Sequence, residues 1–310
     1  LLSNSFHALQ IIVAWKHLQW GRKRGYKSIM ATVKIVTDSS AGLTDEEEKK
    51  YHITIVPLTV MIDDVVYVER HTITNDEFID KMEHSKAFPK TSQPPLGDFI
   101  KVFDELGADG SSVICINMME SISGTIHTAE QAAKISKSDV TVFDSGTTDR
   151  ALAFQCIEAA KLAQKGASVD EILARVKKVS DNTRLYMGVM TLNNLVKGGR
   201  INKMTGAISS LLNIKIVLQV GQGNLNIRTK GRGMKTIDRF YDKVYEQMKN
   251  TPNIKAIGIS HVHAEGMVDN ILKHIQPIFP NIDILVRETV PIIATHGGPG
   301  AFALVYYFDD

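Results

Sequence analysis

Four short stretches of this 310-residue chain combine hydroxyl, histidine or arginine side chains with glycine or proline. In the first, Thr91, Ser92 and Gln93 precede Pro94 and Pro95. The two prolines fix the backbone and remove two N–H groups, so the hydroxyls can be held where they donate to an oxyanion. An N-cap for a helix beginning near Leu96 explains the same residues. In the second, Ser121, Ser123, Gly124 and Thr125 lie between an apolar run and a helical pattern. That position offers backbone N–H groups and hydroxyls to an anion, or again a helix cap. The third is Thr295, His296, Gly297, Gly298, Pro299 and Gly300. Here glycines let the backbone fold tightly near one imidazole, which can face a carboxylate or stand in a surface turn. The fourth, Gly198-Gly199-Arg200, puts an always-charged guanidinium on a tight turn, suited to a carboxylate or phosphate.

Further candidates read differently. Arg228, Lys230 and Arg232 form a basic run, which serves either a partner or a cation-guarded hairpin edge. His261 and His263, two apart on a strand and followed by Glu265, look like a metal site, but only this one pair is seen and no further ligand is marked, so no metal and no other cofactor is expected. Asp38, Asp144, the serines and His296 can be assembled on paper into a Ser-His-Asp hydrolase or acyl transferase, although no Gly-x-Ser-x-Gly elbow supports it. The two cysteines, Cys115 and Cys156, have no partner at metal or redox-motif spacing and read as buried thiols in a reducing cytoplasm.

These residues need elements to position them. Continuous apolar runs at 33–37, 112–117 and 140–143 alternate with helical patterns at 122–136, 147–165 and 169–182. Such strands between helices predict a parallel sheet covered on both faces. Residues 53–62 read as one strand interrupted at Pro57. Beyond residue 183 the pattern becomes a mixed sheet, with a hairpin at residues 221–224. The expected fold is therefore α/β in two domains: an N-terminal α/β/α domain at 30–182 and a C-terminal mixed-sheet domain at 183–310. Residues 1–29 hold both tryptophans and five cations without an acid, so the remainder carries −3 against a total of +2. Their order of apolar then basic residues is the reverse of a secretory signal, and they read as an extension outside the fold, or else as a membrane-surface helix. The small net charge argues against nucleic acid, and no apolar run reaches the roughly 18 residues of a membrane span.

In order along the chain, Lys34 to Ser40, Val56-Pro57-Leu58-Thr59, Thr91 to Pro94, Ser121 to Thr125, Asp144-Ser145, Gly198 to Ile201, Leu212 to Lys215 and His296 to Gly300 resemble the DegV family, which includes the bacterial FakB fatty-acid-binding subunits. The likeness runs from about Met30 to Phe308. It implies a two-domain α/β fold with one long-chain, palmitate-like fatty acid in an apolar tunnel between the domains. By motif matching, Thr91, Ser123 and His296 correspond to the polar network around the carboxylate, and Arg200 to the arginine of the family's Gly-Gly-Arg turn. FakB members are non-catalytic subunits that present the acid to a separate fatty-acid kinase, FakA. The run Arg228, Lys230, Arg232 matches the region expected to meet that kinase, in a cytoplasmic protein of lipid transport and fatty-acid metabolism. The chain departs from the family at Ile216, where a proline is common, and at Glu69-Arg70, in place of Asp-Gly.

Overall fold

Successive side chains of a strand face opposite ways, so a strand apolar at every position needs a cover on each side. The computed structural model describes residues 32–205 and 214–309 and shows how those covers are supplied. The extension read at 1–29, and Leu212 and Asn213, lie outside the described residues. The first seven strands are β1 (Val33–Asp38), β2 (Ile53–Val56), β3 (Thr59–Ile62), β4 (Val65–Val68), β5 (Lys90–Ser92), β6 (Ser112–Asn117) and β7 (Val140–Asp144). β2, β1, β6 and β7 pair in that order, all parallel. Val36 and Cys115, partners in the β1–β6 register, face helices Leu96–Gly107 and Thr125–Ile135 through Phe99, Phe103, Ala129 and Ala132. Ile35 and Ile114, one residue earlier, face Leu152, Cys156, Ile172 and Val176 of helices Asp149–Ala163 and Val169–Asp181. Ser168 and Glu171 start the latter helix with a reciprocal capping box.

The single strand expected at 53–62 is two strands in two sheets. β2 ends at Val56, and after Pro57 the chain joins a separate antiparallel sheet of order β4-β3-β5. Pro57 has no N–H to continue the ladder, so the change of sheet falls there.

The remaining strands are β8 (Thr183–Val189), β9 (Met204–Thr205), β10 (Lys215–Gly221), β11 (Asn224–Gly231), β12 (Ile254–His261), β13 (Ile284–Glu288) and β14 (Phe302–Phe308). They form a mixed sheet in the order β13-β12-β14-β8-β10-β11-β9. The hairpin expected at 221–224 is present, with Gln222 and Gly223 both at positive φ, which matches the twist of the strands it joins. One face of this sheet packs on helices Met234–Asn250 and Glu265–Ile275 through Tyr241, Val244, Val268 and Ile271. The other face, with Leu185, Val189, Leu218 and Val305, packs on Ala151 and Phe154 of helix Asp149–Ala163. That helix is therefore clad by both sheets, and its residues 149–157 are all buried.

A second link runs through Glu69. Its carboxylate is fully buried, accepts a short hydrogen bond from Ser39 Oγ, and accepts another from the Ile292 N–H at 2.6 Å. Ile292 opens the helix Pro291–Gly297, so one carboxylate joins the end of β1 to that helix. Burial raises the Glu69 pKa from 4.5 to about 7, against the pull of the Ser39 and Ile292 bonds. The folded state thus holds this proton more tightly than the unfolded chain. Its stabilising effect is complete below pH 4.5 and is lost as the pH rises through about 7. The difference amounts to about 3 kcal/mol. Buried Asp38 and Asp149 are shifted upward too, so a variant is needed to isolate Glu69. Urea unfolding at pH 5 and pH 8 should show the wild type losing up to about 3 kcal/mol more than Glu69→Gln. An equal loss in both proteins would exclude titration at Glu69.

Candidate functional site

The four residues expected near an anion come together, each half-buried, from four separate segments. Thr91 lies on β5, paired with Val60 of β3. It does not cap the following helix, whose first position is preceded by Pro95 with no side-chain cap bond. Its Oγ1 is 3.2 Å from Nε2 of His296. His296 stands in the last turn of helix Pro291–Gly297, not in a glycine turn; the glycines that suggested a turn instead end this short helix, Gly298 at φ 76°. The other ring nitrogen, Nδ1, is buried with no hydrogen-bond partner. Burial, with the Arg200 charge assisting, holds the His296 pKa down to about 4. At neutral pH the ring is neutral and carries one N–H donor.

Gly198 has a steric reason to lack a side chain. A β-carbon there would lie 2.2 Å from His296 Nδ1. Two residues on, Arg200 donates from Nε to the Ile122 carbonyl at 3.2 Å and from Nη1 to the Gly198 carbonyl at 2.7 Å. Arg200 therefore ties the Gly198 turn to the loop that carries Ser123. Ser123 Oγ lies 2.8 Å from Thr125 Oγ1 and accepts from the Thr125 N–H at 3.3 Å. The helix beginning at Thr125 has Gly124 at its N-cap position and no side-chain cap bond.

Ser123, Arg200 and His296 line a cavity of about 80 Å³. The rest of its wall is chiefly apolar and includes Met118, Ile122, Met187, Leu218, Val220 and Ile293. A second space of about 30 Å³ shares Thr148, Met187, Val220 and Ile293 with the first and continues to Ser260, His261 and Phe302. Leu218 and Val220 point the same way by strand alternation. Their place in a cavity wall follows only from the pairing of β10 with β8. Sequence reasoning also missed Thr148. It stands before a helix and resembles a cap, yet its hydroxyl makes no cap bond and is buried without a partner.

The hydrolase arrangement does not form. Asp38 accepts from Asn117 Nδ2 at 3.1 Å and from the Met118 N–H at 2.8 Å, tying β1 to β6. Asp144 accepts from the Gly146 N–H at 2.9 Å. Neither reaches His296, and the depressed pKa of that ring makes it a weak base. Arg228, Lys230 and Arg232 are exposed along and just beyond β11. The β10–β11 register shifts between Val217 and Leu218, leaving Arg228 as an extra residue without a partner on β10.

Fold and site together define an α/β protein with an internal, chiefly apolar space whose wall includes a guanidinium, a hydroxyl and a neutral imidazole. The chain belongs to the DegV family: a family model described as an uncharacterised protein of the DegV family matches residues 32–309. A DegV domain-containing protein of Streptococcus pneumoniae serotype 4 is 44% identical over 276 residues, covering 89% of this chain and 98% of its own. The crystal structure of DegV from Bacillus subtilis, described as a fatty acid binding protein, has TM-score 0.82 at 27% identity, over 90% of this chain and 100% of that one. A DegV family protein from Thermus thermophilus, described by its fatty acid binding, has TM-score 0.80 at 26% identity with the same coverage. The fold is thus DegV-like, with one parallel and one mixed sheet. No helix among the described residues is long and apolar enough to cross a membrane.

A base whose folded pKa lies below its unfolded value costs stability as the pH falls between the two, here from 6.5 to about 4. Side-chain NMR of His296 should accordingly show one neutral tautomer from pH 8 down to about 5.5, with a midpoint near 4. A midpoint at 6 or above would mean that the ring is solvated or paired with an acid.

Proposed function

We propose that this chain binds one long-chain, palmitate-like fatty acid and presents its carboxylate to a fatty-acid kinase, as a non-catalytic subunit in cytoplasmic fatty-acid metabolism. The carboxylate sits at Thr91, Ser123 and His296, with Arg200 supplying the positive charge. The hydrocarbon tail lies between a first domain (30–182) and a second (183–310). One observation carries this reading: a chiefly apolar cavity is lined by Ser123, Arg200 and His296, and the buried imidazole Nδ1 has no partner. The fatty acid binding ascribed to the Bacillus subtilis and Thermus thermophilus relatives supports it.

The energetics agree. Each buried methylene contributes roughly 0.8 kcal/mol, so about a dozen offer near 10 kcal/mol before the losses of association. Apolar burial does not choose which end enters first. A carboxylate buried without donors is costly, whereas hydroxyls, an imidazole N–H and a guanidinium at one end offset that cost and set the orientation. The two cavities share the flexible Met187 side chain and Ile293 in their walls, the adaptable lining that a long acyl chain needs.

Native mass spectrometry of the purified protein should show one co-purified long-chain acid. In Thr91→Ala/Ser123→Ala, affinity should fall on the order of 100-fold, as expected for two lost hydrogen bonds to a charged group. Unchanged retention in that variant would show that the carboxylate lies elsewhere. The docking step needs its own test. Arg228→Glu/Lys230→Glu/Arg232→Glu should keep its bound acid yet be phosphorylated by a fatty-acid kinase at least ten times more slowly. Wild-type rates would remove this face from the docking reading.

A further inference from the structure

Beside the smaller cavity, which His261 lines and His296 does not, three side chains of metal-ligating type converge. His261 closes β12, Glu288 closes the neighbouring parallel strand β13, and the register places these two residues directly opposite each other. Glu265 stands four residues after His261, in the first turn of helix Glu265–Ile275. Each of the three offers one ligand atom, and these atoms all lie within 4.8 Å of one another. Nitrogen and oxygen ligands about 2.0–2.2 Å from a common ion are separated by up to about 4 Å, so small side-chain rotations complete the site. We propose that His261, Glu265 and Glu288 bind a divalent first-row transition ion, with Zn²⁺ the best match to one imidazole and two carboxylates.

Unmet bonding requirements support this placement. The Ala264 N–H lies 3.4 Å from His261 Nδ1, at the long limit of a hydrogen bond, so this nitrogen is only weakly committed to the backbone. Glu288 Oε1 faces the same nitrogen at 3.4 Å. A proton on the ring nitrogen or a cation between the two atoms makes this contact favourable. The backbone amide of His263 supports the Glu288 carboxylate, whose Oε2 is nonetheless buried without a hydrogen-bond partner. His261 is only 8% exposed, whereas Glu265 is exposed, so the cluster is walled by protein on one side and open to an entering ion on the other. Asp76 adds negative charge to both His261 and Glu288.

The donor set also selects the ion. An imidazole with carboxylates favours zinc and its neighbours, whereas calcium and magnesium prefer all-oxygen cages. His263, which made the sequence look metal-like, is not a ligand. Its backbone is at φ 43°, and its ring meets Glu83 at 3.2 Å and Asp80 at 3.8 Å. The third group is Glu288, from the next strand. His261 lines the smaller cavity, and Thr91, Ser123 and Arg200 do not, so this site is separate from that polar group.

The full-length protein, stripped with a chelator and dialysed, is titrated with Zn²⁺ by calorimetry and with Co²⁺ by visible absorption. One equivalent should bind to the wild type, and Co²⁺ should give d–d bands of a low-coordinate nitrogen–oxygen site. His261→Ala and Glu288→Gln should each weaken Zn²⁺ binding at least tenfold, and His263→Ala should leave it within twofold. Glu265→Gln, on the surface, should weaken it at least threefold while circular dichroism stays unchanged; it carries the test if the buried variants do not fold. The assignment is overturned if no equivalent binds, if Glu265→Gln leaves the affinity unaltered, or if His263→Ala weakens binding as much as His261→Ala does.

Discussion

Everything else in this fold depends on one helix having to satisfy two sheets. Asp149–Ala163 is apolar or small on most sides because it reaches water chiefly in its C-terminal half, at Glu158 and Lys161. Leu152 and Cys156 face the parallel sheet, and Ala151 and Phe154 the mixed one. Small residues such as Ala159 and Ala160 allow close approach where larger ones would hold the layers apart. Its first turn is fixed as firmly by polar contacts. Arg150 pairs with Glu47 through two hydrogen bonds, at 2.8 and 2.7 Å, and Asp149 receives a short one from Ser260 Oγ on β12. The internal cavities begin at Thr148, just before this turn, so their shape is set by how the two sheets meet the helix.

The polar group at the cavity follows from that arrangement. Thr91, Ser123, Arg200 and His296 are far apart in the chain, and each is brought in by a different short segment. Backbone contacts decide their spacing: the Asn194 side chain holds the Thr295 carbonyl at 2.8 Å, and Arg200 holds the Ile122 carbonyl. The Glu69 carboxylate holds the opening of the helix that carries His296. A neutral imidazole beside a guanidinium is a consistent pair, since the ring supplies direction and the arginine supplies charge.

Much of this was legible in the residues. Continuous apolar strands and the helical spacing of apolar residues over 169–182 marked the helical and parallel portions, because those signals are local. In the sequence Pro57 interrupts one apolar run, and only pairing shows that its two sides belong to different sheets. Helix Pro291–Gly297 was hidden because seven residues ending in glycine look like a turn; tertiary packing of Ile292 and Ala294 makes it a helix. Residue types marked Thr91, Ser123, Arg200 and His296, but not the contact between Thr91 and His296, which spans 205 positions. Glu288 carried no signal at all, since its nearness to His261 is a property of strand register.

The extra residue at Arg228 has a consequence for how this molecule meets others. Among the described residues, β9 covers β11 only at Leu225 and Asn226, so the stretch from Ile227 to Gly231 forms an outer border of the sheet. An uncovered border of flat, regular backbone invites another chain to add a strand and then another copy to follow. A bulge interrupts the row of backbone donors and acceptors, and cationic side chains at 228 and 230 repel a second copy of the same border. The same residues that interrupt this border thus act as a safeguard against polymerisation of the protein on itself.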